Sequence, residues 1–469
     1  MRRVLRILAR LVLGFVVLVL AVLLLAFVGI DYRPYLLAPY FQSTSDRLVE
    51  GTKTNWVSTG VLRAGFARVR LTPEVNASVD DPEHGKFRLL PLAGFGARKG
   101  KPATGTHDDL WVKAVSLEVA GRRAVFVASD ALIVPREVSE LAVGRLQREL
   151  GLPREALYFG ATHSHSSIGG WGEGFVPEAF AGEFHPGIRE WFASRLVAAV
   201  TEAISNAAPA SLACGSFAAP DFVRNRLVGE RGRVDPEFSV VLVRRDDGKT
   251  AVIGAYAAHA TVLGARNLQF SGDWPGEWER AVEAKTGAMG VFFAGGVGSH
   301  SPAPGADGFE GTRRMGEALA ERTAALLPKL VAKPDIAFAT VGLEVALPEI
   351  HLRVQDERRL RPALAANLLP VKGSTFLQAV RFGDALWIST PCDFSGELAL
   401  PLKEHFAPRG RRLTVTSFNG DYIGYIIPGK YYHLDGYEPR TMSFFGPTVP
   451  DYFEELVRRM GESVAGEPR

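Results

Sequence analysis

The stretch 160-GATHSHSSIGGWGEGF-175 follows the apolar run ALYF and sets two histidines one residue apart, ahead of serines and glycines. Residues i and i+2 of a strand project from one face. The spacing therefore predicts His163 and His165 pointing together at the end of a strand, with Ser164 on the other side and Gly169 and Gly170 clearing space in front. Two imidazoles so placed hold a metal, or divide into one ligand and one acid/base, or make a hydrogen-bonded polar turn. The stretch alone leaves all three open. What it fixes is an architecture in which apolar strands end in polar turns.

Working outward, GVLRAGFARVRLT, LWVKAVSLEVA and RRAVFVASDALIV read as strands, the last reaching Asp130. PREVSELAVGRLQREL has helical spacing and is closed by Gly151, and GIREWFASRLVAAVTEAISNA reads as a second helix. Strands follow at FSVVLVRR and TAVIGAYAAHA, helices at GEWERAVEAKTG and RRMGEALAERTAALLPKLV, then strands at QAVRFGDALWIST and RRLTVTSFNG. Interspersed elements of these lengths predict an α/β (α+β) fold: layered mixed β-sheets flanked by helices. With 469 residues, 47% hydrophobic and 22% charged, the chain can bury a large core.

One helix is expected ahead of that domain. MRRVLRILAR precedes LVLGFVVLVLAVLLLAFVGI, residues 11–30, which carries no charge. Twenty residues at ~1.5 Å each match a ~30 Å hydrocarbon core. No small-residue cleavage pattern closes the run, so it reads as a retained transmembrane signal anchor. Arg2, Arg3, Arg6 and Arg10 keep the N-terminus cytoplasmic by the positive-inside tendency, which puts the remainder across the membrane, as in a bacterial periplasm. The expected layout is residues 1–30 as arginines and anchor, 31–60 as an irregular juxtamembrane linker whose Tyr, Phe and Trp suit the interface, and 61–469 as the catalytic domain. Without the four anchor arginines, 50 basic residues face 51 acidic ones, so no basic surface argues for nucleic acid. Cys214 and Cys392 allow a disulfide but no disulfide framework.

Two further segments carry site-type residues. AVIGAYAAHATVLGARNLQFSGDWPGEW ends a strand in His259, and GVFFAGGVGSHSPAPG runs a strand into a glycine-rich loop with Ser299, His300 and Ser301. Free N–H groups in such a loop can form an anion or oxyanion site. His107, Asp108 and Asp109 read as a solvated loop, and Trp171 and Trp274 as core packing or the wall of an acyl channel.

Taken in order, these segments resemble the neutral, non-lysosomal ceramidases. THSHSSIGG is similar to the family's T-H-T-H-S-G-P-G-G, NRL at 225–227 to N-R-S, and HATVLGARNLQFSGDWPG to its second zinc-histidine segment. GVGSHSPAPG is similar to G-D-V-S-P-N, TPCDFSGE to P-G-E-F, and DYIGYIIPGKYYHLDGYEPRTMSFFGP to Y-x-x-Y…Y-E-x-x-S-x-x-G-P. The resemblance is colinear from about Gly65 to Pro447 and covers the family's catalytic part, without the C-terminal immunoglobulin-like domain of longer members. It implies a zinc-dependent amidohydrolase that cleaves the N-acyl bond of ceramide, or a related N-acyl lipid, to a fatty acid and a sphingoid base.

The resemblance also implies a site: one Zn²⁺ per chain on His163, His259, Asp393 and Tyr425, His165 as proton carrier, Arg226 orienting substrate oxygens, and Ser301 as nucleophile or positioning group. Tyr437 is implied to contact substrate or the oxyanion. Asp393 stands where the family has glutamate, one methylene longer, and the serine loop has Ser299, His300 and Ala303 in place of Asp, Val and Asn. The implied partners are the lipid substrate and the bilayer. Two other readings remain: a metal-free serine hydrolase using Ser301 with His300 or His165, and a lipid-binding protein with a decayed site.

Overall fold

The computed structural model describes residues 2–54, 57–369 and 371–466. Trp56, counted above among the interfacial aromatics, lies outside them. Twelve strands form one hydrogen-bonded sheet. Its centre is the long strand Ser58–Arg70, whose first residues pair with Asp335–Ala346 and whose remainder pairs with Trp111–Val119. One arm continues through Ala208–Ala218, Glu237–Arg245 and Thr250–Tyr256 to Met289–Ala294, and another through Ser374–Phe382 and Ala385–Ser389 to Arg412–Thr416. A third runs from Trp111–Val119 through Arg122–Ser129 to Leu157–Ala161.

Side-chain alternation along these strands builds the layers. Val115, Leu117 and Val119 face an inner core where the arms pack on one another, with Phe126, Tyr158, Phe293, Phe382 and Trp387 in mutual ring contact. Val112 and Ala114 face the opposite way, against helices Arg136–Leu150 and Pro186–Ser205. Helices Asp273–Thr286 and Gly308–Leu326 cover a second outer face, and Gly396–Phe406 with Val449–Ala465 cover a third. Mixed sheets between helical layers agree with the expected fold class.

Within the large sheet three of the described strand pairs are parallel, and these locate the site. Arg122–Ser129 pairs with Leu157–Ala161, Thr250–Tyr256 with Met289–Ala294, and Ala385–Ser389 with Arg412–Thr416. Their C-terminal ends meet: the Ser417 amide donates to the Ala294 carbonyl, and the Ser389 hydroxyl to the Phe159 carbonyl. Ligands of open α/β sheets bind beyond such carboxyl ends.

The N-terminal region departs from expectation twice. The helix spans Arg2–Ala26, and Phe27–Gly29 leaves it as a strand paired with Arg358–Leu360, because an open hairpin edge there offers backbone partners. Among the described residues one helix, Arg3–Ala26, is long and apolar enough to cross a membrane, and its apolar window is not buried against the domain. The stretch read as irregular contains the helix Pro39–Thr54, with Thr44 and Leu48 buried against the strand Asp335–Ala346 and the C-terminal helix. Its few apolar residues lie on one side, too sparse a pattern to read as a helix from sequence.

Candidate metal centre and active site

His163 is not on a strand. The strand ends at Ala161, and His163 takes a left-handed conformation with φ 62°. The parity argument for the histidine pair therefore fails, yet the two rings meet, with His165 Nε2 3.2 Å from His163 Nε2. The turn, stacked on Phe418 at 4.2 Å, aims His163 inward. Space for His165 comes from Gly94, where a Cβ would lie 2.6 Å from the imidazole; Gly169 instead abuts the Ala181 and Pro91 carbonyls.

His259 follows the strand Thr250–Tyr256, its carbonyl held by the Trp274 indole at 3.0 Å. Its ring packs 4.7 Å from that of His163, and ring nitrogens of His163, His165 and His259 lie within 4.8 Å of one another. Such a three-histidine cluster can coordinate a metal ion. His163 Nδ1 is 2.7 Å from the Leu132 carbonyl, and His259 Nδ1 is 2.9 Å from Val297 O and 3.0 Å from His300 O. Carbonyls only accept, so both Nδ1 atoms carry the proton and both Nε2 lone pairs face the centre. Burial lowers the pKa of His163 to about 4 and of His259 to about 3, so both rings are neutral at pH 7.

Asp393 completes a conflict among acceptors. Its Oδ2 accepts from the Tyr422 hydroxyl at 2.8 Å, while Oδ1 lies 3.4 Å from His163 Nε2 and 3.3 Å from His259 Nε2 without a hydrogen-bond partner. Burial raises its pKa, against the pull of His163, Tyr422 and Arg226. Neither imidazole Nε2 has a proton to give the Asp393 oxygen, a crowding of acceptors that a cation between them would relieve. The phenol of Tyr425 adds an oxygen 3.1 Å from His259 Nε2. A two-residue parallel ladder, Asp393–Phe394 against Tyr425–Ile426, sets the two side by side in register. Imidazole nitrogens, a carboxylate and a phenol suit Zn²⁺.

Arg226 reaches the same centre. Its Nη1 is 3.4 Å from His259 Nε2, and Nη2 pairs with the buried Glu438 at 2.5 Å. Burial opposes the charge, but Tyr425, Glu438 and Asp393 outweigh it and hold the pKa above its usual value. Tyr437 is exposed, its ring 6.1 Å from that of Tyr425.

The Ser301 hydroxyl pairs with Arg224 and with none of the three clustered histidines. The residue lies opposite Arg224 in a short ladder, and its hydroxyl accepts from Arg224 Nε at 3.2 Å. His300 turns the other way: Nε2 accepts from the Asp235 amide at 2.8 Å and Nδ1 donates to Ser299 Oγ at 2.7 Å. With both nitrogens engaged, His300 offers Ser301 no base. In the glycine-rich loop the Gly295, Val297, Gly298 and His300 amides bond to neighbouring carbonyls, which withdraws those four donors from an oxyanion role. Its glycines permit close approach instead; a Cβ on Gly298 would lie 2.2 Å from the Asp393 carbonyl.

Several site residues escaped the sequence reading. Tyr422 and Glu438 sit inside the Y-x-x-Y and Y-E segments but were given no role there. Arg98, buried in GFGARKG, donates to the carbonyls of Ala93, His165 and Asn267, and nothing in its local pattern marks it. Asp108 braces the turn after His259, accepting from the Gly272 amide and from Arg280, while Asp109 pairs with Arg70. Trp171 and Trp274 are both buried, and Cys214 and Cys392 are free thiols. Beside the centre a cleft is lined by Trp171, Val176, Phe180, Leu369, Val371 and Tyr422, the last being the donor to Asp393.

Residues 85–295 match the family model of neutral/alkaline non-lysosomal ceramidase, N-terminal. No curated protein sequence matches the chain. Among solved structures, the neutral ceramidase from Pseudomonas aeruginosa shares the fold with a TM-score of 0.70 at 19% identity, covering 86% of this chain and 74% of that one. A ceramidase complexed with C2 superposes with a TM-score of 0.70 at 18% identity, covering 86% and 75%. Residues 85–295 thus match the N-terminal part of the neutral/alkaline non-lysosomal ceramidases, and the chain shares the fold of these two solved ceramidases.

Proposed function

We propose that the chain hydrolyses the N-acyl amide bond of ceramide, or of a closely related N-acyl lipid, with one Zn²⁺ held by His163 Nε2, His259 Nε2, Asp393 Oδ1 and the Tyr425 hydroxyl. The observation that carries this reading is the convergence of two proton-free imidazole nitrogens on the unpartnered Asp393 oxygen. When bound, such an ion supplies Lewis acidity toward an amide carbonyl and toward water. Arg226, oriented by Glu438, orients substrate oxygens and offsets developing negative charge. His165 is neutral because burial lowers its pKa well below the usual value, and its Nε2 lies at the centre beside His163, where the ring can take a proton from water and return it to the leaving amine. The Trp171–Phe180 cleft accepts one hydrocarbon chain, and Tyr437 contacts the lipid at the rim. Ser301, paired with Arg224, positions substrate or water in this reading.

The helix Arg3–Ala26 acts as the anchor, with the N-terminus cytoplasmic and the domain on the far face of the membrane, where its lipid substrate resides.

The test is fatty-acid release from a panel of ceramides and simpler N-acyl amides by the purified full chain in detergent, as isolated, after chelation and after zinc is restored. Ceramide cleavage lost with chelator and regained with zinc is the expected result. Cleavage that resists complete metal removal would overturn the metal assignment, and turnover of simple amides alone would overturn the substrate.

A further inference from the structure

The helix Arg2–Ala26 does not enter the domain through a free tether. Its last carbonyls are held directly: Arg361 Nε donates to Leu25 O at 2.6 Å and the Arg361 amide to Ala26 O at 2.8 Å. The next residues, Phe27–Gly29, form the edge strand of a three-stranded sheet with Arg358–Leu360 and Arg353–Gln355, and the Ile30 amide donates to Glu357 O. Tyr32 then bonds to Glu357 and lies 3.0 Å from His433. Helix, strand and hairpin are therefore one hydrogen-bonded unit.

That unit continues to the rim of the active site. Arg353 donates to the Leu434 carbonyl and stacks on Tyr432. Arg440 reaches Val354 O from the turn Tyr437–Thr441 and pairs with Asp356 and Asp435. The same turn carries Tyr437 and the Glu438 that holds Arg226.

The segments bonded to the end of the helix are unusually apolar where they meet solvent. Leu37 is 81% exposed beside Asp31 and Arg33, Val354 is 45% exposed on the hairpin, and Leu364 and Leu368, one helical turn apart just after Arg361, are 43% and 38% exposed. Arg358 and Arg361 are exposed among them. Exposed aliphatics flanked by arginines fit the boundary between acyl chains and headgroups. The occupant follows from continuity: a fully uncovered apolar helix that needs hydrocarbon is clamped to this face, so the bilayer surface that receives the helix meets these side chains first.

We propose that Leu37, Val354, Leu364 and Leu368 form a bilayer-docking face, held at the membrane by the strand Phe27–Gly29, which presents the Tyr437 rim of the active site to the lipid surface. The proposal rests on reading Arg3–Ala26 as a membrane segment and is independent of which amide is cleaved.

Single cysteines replacing Leu37, Leu364 or Leu368 in the full chain carrying Cys214→Ala, labelled with an environment-sensitive fluorophore, test it in phosphatidylcholine/phosphatidylglycerol vesicles containing spin-labelled lipid. Phe15→Cys reports the helix and Val331→Cys an exposed reference position. The expected result is quenching at Phe15 and at all three leucine positions, with none at Val331. Quenching at Phe15 alone would overturn the docking face while leaving the anchor intact, and absence of quenching everywhere would overturn both. The pair Leu364→Asp and Leu368→Asp should cut hydrolysis of vesicle-borne substrate severalfold while leaving detergent-dispersed substrate unaffected; an equal loss in both would count against docking.

Discussion

His163 shows how a motif can be right while its geometric rationale is wrong. The HxH spacing was legible and brought both rings to one centre, but the left-handed turn that aims His163 depends on Phe418, far away in sequence. No local pattern announces such a partner. Gly94 poses the same difficulty: φ 112° and a His165 ring within reach of any Cβ explain it only after folding. Gly94→Ala should cost about 1–3 kcal/mol and lower kcat more than it raises KM, measured by thermal unfolding and steady-state kinetics. The Tyr422 hydroxyl occupies Asp393 Oδ2 and leaves Oδ1 free, so the shorter acid presents one oxygen to the proposed ion. Removing that bond in Tyr422→Phe should weaken zinc affinity by about 10–100-fold, read by competition with a chromogenic chelator. Glu438→Gln frees Arg226 from its charged partner, and the expected signature is a rise in KM with a smaller change in kcat.

At the level of elements, the periodicities were legible and the joints between them were not. Strands and helices such as Arg122–Ser129, Arg136–Leu150 and Pro186–Ser205 fall where alternation and helical spacing put them. The ladder Asp393–Phe394 with Tyr425–Ile426 is two residues long, below any detectable repeat, yet it sets two proposed ligands side by side. Gly424 permits it, since a Cβ there would lie 2.3 Å from the Met442 carbonyl. The helix Asp273–Thr286 acts on the site through Trp274, whose indole holds the His259 carbonyl. Trp274→Phe keeps most of the buried ring and deletes that bond. It should destabilise the domain by about 1–3 kcal/mol and weaken metal binding without abolishing it, as unfolding with and without zinc would show. Ser301→Ala separates two roles for the serine loop: with Arg224 its only described partner, the variant should retain measurable single-turnover cleavage, whereas complete loss would restore the serine as nucleophile.

Across the whole molecule, buried neutral histidines tie stability to pH. Burial lowers His300 to about 3 and His351 to about 4 from 6.5, so below pH 6.5 the unfolded chain binds protons that the folded chain refuses. Stability is then complete above pH 6.5 and falls on acidification, by about 1.4 kcal/mol per pH unit per histidine while each stays neutral. Buried carboxyls such as Asp273, raised to about 7, act in the opposite sense, so the histidine part is read by difference: His351→Gln should lose less stability between pH 7 and pH 5 than the parent chain, and an equal loss would contradict the burial of that ring. The layered α/β plan could be read from composition and patterning, but not the order of twelve strands, because side-chain alternation along a strand does not identify its neighbours. That order gives the assembly a modular character. His163 and His259 precede the connection at 327–334, while Asp393 and Tyr425 follow it, and the two portions meet along the ladder of Ser58–Arg70 with Asp335–Ala346. A chain severed in that connection would yield two inert fragments, each with half of the proposed donors, and zinc-dependent hydrolysis would return only on their reassociation. Such a split enzyme would act as a complementation reporter, its turnover counting how many halves have found each other.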